Sequence, residues 1–175
     1  FQGKERKVYL TGEAYFKVAK NTEHPFVVTA GELEVLVTGT TFGVRAYKDE
    51  KDIQTTLESG QVTVRVEGKS VKLVPNKQVL FNKLTMGVEV RDVDVDLYLA
   101  WADGRLVYDN CPLEKILTDL GRWYNIDVFY SRDELRSYQF SLNMKKHEEF
   151  IQVLELIGKT GEVQFEVKDN TVIVR

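Results

Sequence analysis

The spacing of apolar residues changes near residue 96, and this change constrains the fold more than any other feature of the chain. Before it, apolar and polar residues alternate, as at Val62, Val64 and Val66, and a period of two is typical of strands with one buried face. After it, apolar residues recur at the three- and four-residue spacing of amphipathic helices. We therefore predict two modules, an all-β domain over residues 4–96 and a small α+β domain over residues 97–175.

Alternating segments separated by glycine or charged turns fill the first module. They centre on residues 8–10, 14–18, 26–28, 32–38, 42–46, 55–57, 62–66, 71–73, 79–81 and 88–90. Three segments open with a hydroxyl residue and a glycine, at residues 11–18, 38–47 and 59–66. Glycine can adopt positive φ where the chain turns into a strand, and such recurrence is typical of a solenoid-like stack. Because the spacing is irregular, an antiparallel sandwich stays open as the alternative.

The second module combines two helices with short strands. Pro112 stands at the start of the first helix, where a missing N–H is tolerated. Its apolar stripe consists of Leu113, Ile116, Leu117, Leu120 and Tyr124, and its polar residues, directed mostly toward solvent, are Glu114, Lys115, Asp119 and Arg122. The second helix is indicated by Phe150, Ile151, Leu154 and Ile157, and it ends near Gly158 or Gly161. Strands are predicted at residues 105–108, 126–130, 138–142, 163–167 and 172–174. This order predicts an α+β sandwich with both helices on one sheet face.

Charge and hydropathy narrow the range of partners. The chain has 24 Lys and Arg against 27 Asp and Glu, so it lacks the concentrated positive charge that attracts nucleic acid. Its apolar runs are far shorter than the roughly 20 residues that cross a bilayer. Phe1, Gln2 and Gly3 match the remnant of a cleaved purification tag, so we expect the natural protein to extend upstream.

Few residues could support catalysis. A hydrolase needs a nucleophile beside a base, but His24 precedes Pro25 in a predicted turn and His147 lies among charged neighbours. Cys111, the single cysteine, precedes a helix N-terminus, yet small buried cysteines are common in cores. We therefore predict no enzyme activity, no catalytic residues and no cofactor.

Three alternating carboxylates precede the second module. In an extended chain Asp92, Asp94 and Asp96 would share one face, as oxygen ligands of calcium do. The run contains no turn glycine and no later glutamate at EF-hand spacing. A solvent-facing edge or linker strand explains the pattern better, and we predict no metal site.

Aromatic side chains of the second module are the candidates for protein contacts, because tyrosine and tryptophan are enriched at interfaces. The set comprises Trp101, Tyr108, Trp123, Tyr124, Tyr130 and Tyr138. Most of these are predicted to pack between helix and sheet. Tyr130, Arg132, Tyr138 and Phe140 lie around a predicted turn between two strands, and we predict that they bind a partner.

The sequence resembles the FecR-type anti-sigma regulators. The resemblance rests on the ordered segments GEAYFKVA, HPFVVTAG, VTGTTFGVRAY and TTLESGQVTV, and on WADGRLVYDNCPLEKILTDLGRWYNIDVFY in the second module. Two positions depart from the family pattern: Thr38 precedes Gly39 where a leucine is usual, and Gly43 replaces a common asparagine. Neither position touches chemistry, because the family has no catalytic residues.

The resemblance implies a location and partners. It implies a single-pass inner-membrane protein of which this chain is the periplasmic part, anchored through an upstream helix. A cytoplasmic segment outside this chain would hold an extracytoplasmic-function sigma factor. The second module would bind the signalling domain of a TonB-dependent outer-membrane transporter. The alternative is a carbohydrate- or envelope-binding module, in which exposed aromatic rings stack on sugars.

A short sheet has two edges, and the sequence covers neither of them obviously. We therefore expect the second module to pair one strand edge, along residues 137–142, with a strand of the transporter's signalling domain. The β-rich domain would act as a rigid spacer between this contact and the membrane.

Overall fold

The computed structural model describes residues 4–145 and 150–175, and its contacts divide the chain into two units after Leu99. Each unit buries its own apolar core. The all-β and α+β classes predicted for the two halves are confirmed.

Ten strands and one short helix make up the described part of the first unit. They are β1 (Arg6–Tyr9), β2 (Gly12–Lys17), β3 (Phe26–Ala30), β4 (Leu33–Val37), β5 (Thr41–Ala46), β6 (Asp52–Ser59), β7 (Val62–Val66), β8 (Lys69–Leu73), β9 (Lys77–Asn82), β10 (Gly87–Asp92) and helix α1 (Asp96–Leu99). Sheet 1 has the strand order β1-β3-β4-β7-β8, and sheet 2 has the order β10-β9-β6-β5-β2.

The two sheets share one core. Val28, Val35 and Val64 contribute to it from sheet 1, and Phe42 and Phe81 from sheet 2; all five side chains are fully buried. Neighbouring strands pair antiparallel except β1, which pairs parallel with β3. A solenoid would need parallel rungs, so the structure selects the sandwich of the two predicted arrangements.

The glycines of the three repeated segments have different roles. Gly12 (φ +104°) and Gly60 (φ +89°) adopt the positive φ that the sequence predicted. Gly39 is not among the positive-φ glycines; a Cβ there would lie 2.8 Å from the Cα of Lys20, so close backbone packing requires the glycine. A shared sequence signature therefore reflects two physical requirements.

The second unit follows the predicted order of strands and helices. Its described elements are a 3-10 helix (Ala100–Asp103), β11 (Arg105–Pro112), α2 (Leu113–Tyr124), β12 (Asp127–Tyr130), a second 3-10 helix (Asp133–Ser137), β13 (Gln139–Lys145), α3 (Phe150–Gly158), β14 (Phe165–Lys168) and β15 (Thr171–Val174). The strands form two sheets where the sequence predicted one: β11 pairs with β13, and the second sheet has the order β12-β15-β14. The 3-10 helix over Asp133–Ser137 carries the chain from one sheet to the other.

Helix α2 has the predicted apolar stripe, but one of its polar residues is buried. Leu113, Ile116, Leu117 and Leu120 are fully buried, whereas Asp119, predicted to face solvent, is only 3% exposed. The Tyr108 hydroxyl donates a hydrogen bond to Asp119 Oδ2 at 3.0 Å, and Lys115 Nζ donates to the same oxygen. These donors allow the carboxylate to be buried, since burying it without them would be costly.

Helix α3 ends at Gly158, one of the two predicted positions, but turns a different face inward. Val153 joins Leu154 and Ile157 in the core, while Ile151, assigned to the stripe, is 39% exposed. His147 lies outside the described residues.

We predict that Gly60→Ala destabilises the sandwich more than Gly68→Ala does. Both glycines have positive φ, so alanine is strained at either position by about 1–3 kcal/mol. At Gly60 a Cβ would also lie 2.7 Å from the carbonyl oxygen of Gly39, whereas at Gly68 it meets nothing within 4 Å. Urea unfolding followed by far-ultraviolet circular dichroism measures the difference. Equal midpoints for the two variants would contradict the role of the Gly39 contact.

Candidate protein-interaction surface

Tyr130 ends strand β12 and anchors a small polar cluster. Its ring is covered by the guanidinium of Arg136, whose central carbon lies 4.1 Å from the ring centroid. Arg136 belongs to the 3-10 helix that follows β12. Arg136 Nη1 donates to Glu114 Oε1 at 2.9 Å, and its Nε donates to Asp133 Oδ1 at 3.1 Å. The arginine therefore ties the end of β12 to the first turn of α2.

Burial raises the pKa of Tyr130 to about 12. The nearby Arg136 cation opposes this shift, and the Glu114 carboxylate adds to it. Tyr130 therefore stays a neutral phenol across the physiological range.

The other three predicted contact residues have different environments. Arg132 has an exposed side chain and faces Glu134, with 3.6 Å between Nη1 and Oε1. Tyr138 is half-buried against the core. Phe140 is only 7% exposed and packs inside the core, so it is not available at this surface. The alternation of β13 explains this, because Phe140 and Leu142 face inward together.

Sequence reasoning missed an exposed aromatic residue one position before Tyr130. Phe129 is 62% exposed on β12, because Val128 and Tyr130 point toward the core. Its strand partner in the parallel register is Ile173 of β15. The period of two through residues 128–130 could have predicted this orientation.

Strand β13 offers the longest strand edge of the second unit that is free of both a bulge and a proline. Among residues 4–145 and 150–175 it pairs with β11 and with no second strand. It is seven residues long and contains no proline, and its buried and exposed side chains alternate regularly from Gln139 to Asn143. An exposed edge of this kind has main-chain groups ready to pair with another chain.

The other edges of the second unit are less suited to strand pairing. Strand β11 is interrupted by a bulge between Tyr108 and Cys111 and ends in Pro112, which has no N–H. Strand β12 has four residues and is followed by the 3-10 helix. Strand β14 carries Lys168, and the hydrogen bond from Lys168 lowers the pKa of Glu166 below its usual value. Charged edges of this kind discourage strand pairing.

The backbone direction along β13 follows from one hydrogen bond. The Leu113 N–H donates to the Tyr138 carbonyl at 2.7 Å, so this carbonyl points toward the β11 side, whereas the Tyr138 N–H donates to the Leu135 carbonyl at 3.3 Å. Backbone groups alternate along a strand, so those of Phe140 and Leu142 also point toward β11. Those of Gln139, Ser141 and Asn143 point to the free edge.

The other candidate residues of the sequence are His24, Cys111 and the three alternating carboxylates. His24 is exposed in its turn, and its carbonyl accepts a hydrogen bond from Arg6 Nε. Cys111 is half-buried beside the core. Asp92, Asp94 and Asp96 are exposed, and within residues 4–145 and 150–175 no three His, Cys, Asp or Glu side chains are grouped to hold a metal ion.

Comparison with protein families identifies both halves of the chain. The family described as FecR protein matches residues 1–72, and the family described as FecR, C-terminal matches residues 105–174. These matches, in this order, define a two-module regulator of the anti-sigma class. The chain belongs to the FecR family.

Solved structures share the fold. Two crystal structures of a Parabacteroides distasonis protein, described as a candidate anti-sigma factor, superpose with TM-scores of 0.86 and 0.84 at 23% identity. The matches cover 100% and 99% of this chain and 82% and 81% of those chains. Curated protein sequences give no match. No helix in the described residues has the length and apolar character needed to span a membrane.

We predict that the Tyr130 phenol titrates near pH 12 and that its two charged neighbours shift it in opposite directions. Arg136→Gln should raise the pKa further, because it removes the cation that favours the phenolate, and Glu114→Gln should lower it. A spectrophotometric titration with Tyr130→Phe subtracted isolates this phenol from the other tyrosines. Because the folded pKa lies above the ordinary value of about 10, the contribution of Tyr130 to stability should be lost as pH rises from 10 through 12. A phenol that titrates near 10 would show that Tyr130 is not buried.

Proposed function

We propose that this chain is the periplasmic part of a membrane-anchored anti-sigma factor, and that its second unit binds the signalling domain of a TonB-dependent outer-membrane transporter. Membership of the FecR family supports the regulator. The observation that carries the binding site is the unpaired edge of β13 within the described residues. Recognition is by strand addition, in which main-chain hydrogen bonds provide affinity and flanking side chains provide specificity.

The polar face of β13 suits such a contact. Gln139, Ser141 and Asn143 are exposed, and their main-chain N–H and C=O groups point to the free edge. The incoming strand therefore meets three residues whose backbone and side chains are both accessible. Ser141 is already engaged with the bulge of β11: its hydroxyl donates to Asp109 Oδ1 and accepts from the Asn110 N–H. This contact holds the middle of the edge in place before a partner arrives.

Tyr138, Tyr130 and Arg132 flank this edge in sequence and are the side chains we assign to specificity. The Arg136 cluster holds the Tyr130 ring in one orientation. Arg132 lies on the exposed turn and has one weak ion pair, so it can exchange Glu134 for a carboxylate of the partner.

The remaining parts of the protein have complementary roles. A cytoplasmic segment beyond this chain holds the sigma factor, and an upstream helix anchors the protein in the inner membrane. The sandwich is the spacer between the membrane and the β13 edge. Substrate occupancy of the transporter changes the contact at β13, and the change leads to release of the sigma factor.

We predict that Gln139→Pro and Asn143→Pro weaken binding of the transporter's signalling domain at least about tenfold, the equivalent of roughly 1.4 kcal/mol. Each substitution removes an N–H that points to the free edge and leaves the ladder with β11 intact. Tyr138 already has φ −60° and ψ 137°, a conformation compatible with a following proline. The measurement is titration calorimetry with purified signalling domains from the same genome.

Val107→Pro is the matched control. Val107 pairs with Asn143 across the ribbon, and by the same alternation its N–H points to the opposite edge, that of β11. This variant should bind as the unchanged protein does, and circular dichroism and tryptophan fluorescence should show that all three variants fold. Full binding by both β13 variants, or loss of binding only in Val107→Pro, would contradict the β13 edge.

A further inference from the structure

The chain that leads out of the sandwich folds back onto sheet 2. Residues 93–99, here called the strap, follow β10 and include α1. The Val93 N–H donates to the Asn76 carbonyl at 3.0 Å, and Asp94 Oδ1 accepts from the Asp96 N–H at 3.1 Å. Leu99 is 7% exposed at the end of the strap. The strap is therefore held at both ends and does not behave as a free linker.

A four-residue helix cannot account for this order by itself. Isolated helices shorter than about 12–15 residues are marginal in water, because nucleation is costly. Helix α1 has four residues. Its Leu97 N–H donates to the Asp94 carbonyl at 3.2 Å, and the N–H groups of Tyr98 and Leu99 donate to the Val95 carbonyl at 3.0 and 2.9 Å. Packing on the sheet must supply the remaining stability.

The surface beneath the strap is one cross-strand row. In the register of sheet 2, Gly43 of β5 lies opposite Thr56 of β6, Thr56 opposite Gln78 of β9, and Gln78 opposite Arg91 of β10. The row lies on the face away from the core, because Phe42 and Val44 on either side of Gly43 are core residues. Thr56 and Gln78 are nonetheless 3% and 0% exposed.

One end of the row is a socket for Leu99. A Cβ at residue 43 would lie 2.3 Å from Leu99 Cδ2, so the Leu99 side chain would have to leave its present position. The missing side chain of Gly43 therefore leaves the space that Leu99 occupies. Gly43 is also one of the two positions at which the sequence departs from the family pattern, and the packing of Leu99 gives this departure a physical reason.

The other end of the row is a hydrogen-bonded cluster of Arg91, Gln78 and Tyr98, here called the Arg91 latch. Arg91 donates to Gln78 Oε1 from Nε at 2.9 Å and from Nη2 at 2.6 Å, and its Nη2 also donates to the Tyr98 hydroxyl at 3.2 Å. Gln78 Nε2 donates to Thr56 Oγ1 at 2.7 Å. The hydrogen bonds run without interruption from the buried middle of sheet 2 to the strap.

We propose that the strap is a relay element, docked by the Leu99 socket and the Arg91 latch, that makes the chain rigid up to Leu99. Motion that begins in the second unit then reaches β5, β9 and β10 and is not absorbed by a flexible linker. The relay role rests on the proposed function, whereas the docking does not depend on any partner.

Amide hydrogen exchange of the unchanged chain tests the docking. We expect Leu97, Tyr98 and Leu99 to be protected, and Gly43→Ala to speed their exchange at least about tenfold while β6 amides stay protected. In the double variant Gly43→Ala/Leu99→Ala, the strap amides should exchange no faster than in Leu99→Ala alone, because the smaller side chain at residue 99 makes room for the new Cβ. Gly158→Ala, whose Cβ would have only ordinary contacts at 3.8 Å, controls for the effect of alanine itself.

Each exchange result decides the matter. Strap amides that exchange at the unfolded rate in the unchanged chain would overturn the docking. Unchanged exchange of the strap amides in Gly43→Ala would also overturn the docking. So would a double variant whose strap amides exchange faster than those of Leu99→Ala by the full factor measured for Gly43→Ala.

A sigma-dependent reporter in cells tests the relay in the full-length protein. We expect Gly43→Ala to keep affinity for the signalling domain within about twofold while induced output falls at least about fivefold, which separates it from the β13 variants that lose binding. Full output from Gly43→Ala would overturn the relay and leave the proposed function standing. If the β13 variants keep both full binding and full output, the proposed function is overturned and the docked strap still stands.

Discussion

The hydrogen bond from the Leu113 N–H to the Tyr138 carbonyl fixes the geometry on which the second unit depends. It satisfies one of the free N–H groups at the start of α2, where Pro112 makes no side-chain cap. It also sets which backbone groups of β13 face β11 and which face outward. If the alternation shifted by one residue, Phe140 would leave the core and the groups of the polar residues would turn inward. The position of α2, the packing of Phe140 in the core and the direction of the backbone groups at the free edge therefore depend on the same register of β13.

The two units protect their polar groups in different ways. In the sandwich, polar side chains on the outer face of sheet 2 are covered by other parts of the same unit. Arg45 is 7% exposed, pairs with Glu13 and Glu50, and links β5 to the loop that follows it. Gln78 is covered beneath the strap. In the second unit the buried Asp119 carboxylate is covered instead by two neighbouring side chains, Tyr108 and Lys115. Both units also have edge strands that pair on one side only within the described residues, and β13 is one of them.

Much of the fold could be predicted because alternation and helical spacing reflect burial directly. The strands of the sandwich, the stripe of α2 and the end of α3 follow from this relation. What could not be predicted depends on residues far apart in sequence. Asp119 is buried because Tyr108 reaches it from β11, and no pattern within a helix records that partner. Phe140 was placed at the surface because it stood in a tyrosine-rich turn, although the alternation of β13 turns it inward. The strap has too few residues for any periodicity to emerge.

Binding by main-chain groups places a particular demand on the rest of a regulator. A strand edge makes similar hydrogen bonds with many partners, so specificity has to come from side chains beside the edge and from the response that follows binding. The side chains that we propose as the first source lie at the turn between β12 and β13, where Arg136 covers the Tyr130 ring. The second source, the response to binding, requires that the chain have two states that the partner binds with different affinities, because a ligand shifts an equilibrium only through such a difference. A flexible connection after β10 would not carry a change in the second unit to the sandwich. A connection held by the packing of Leu99 over Gly43, as proposed for the strap, would transmit it to sheet 2.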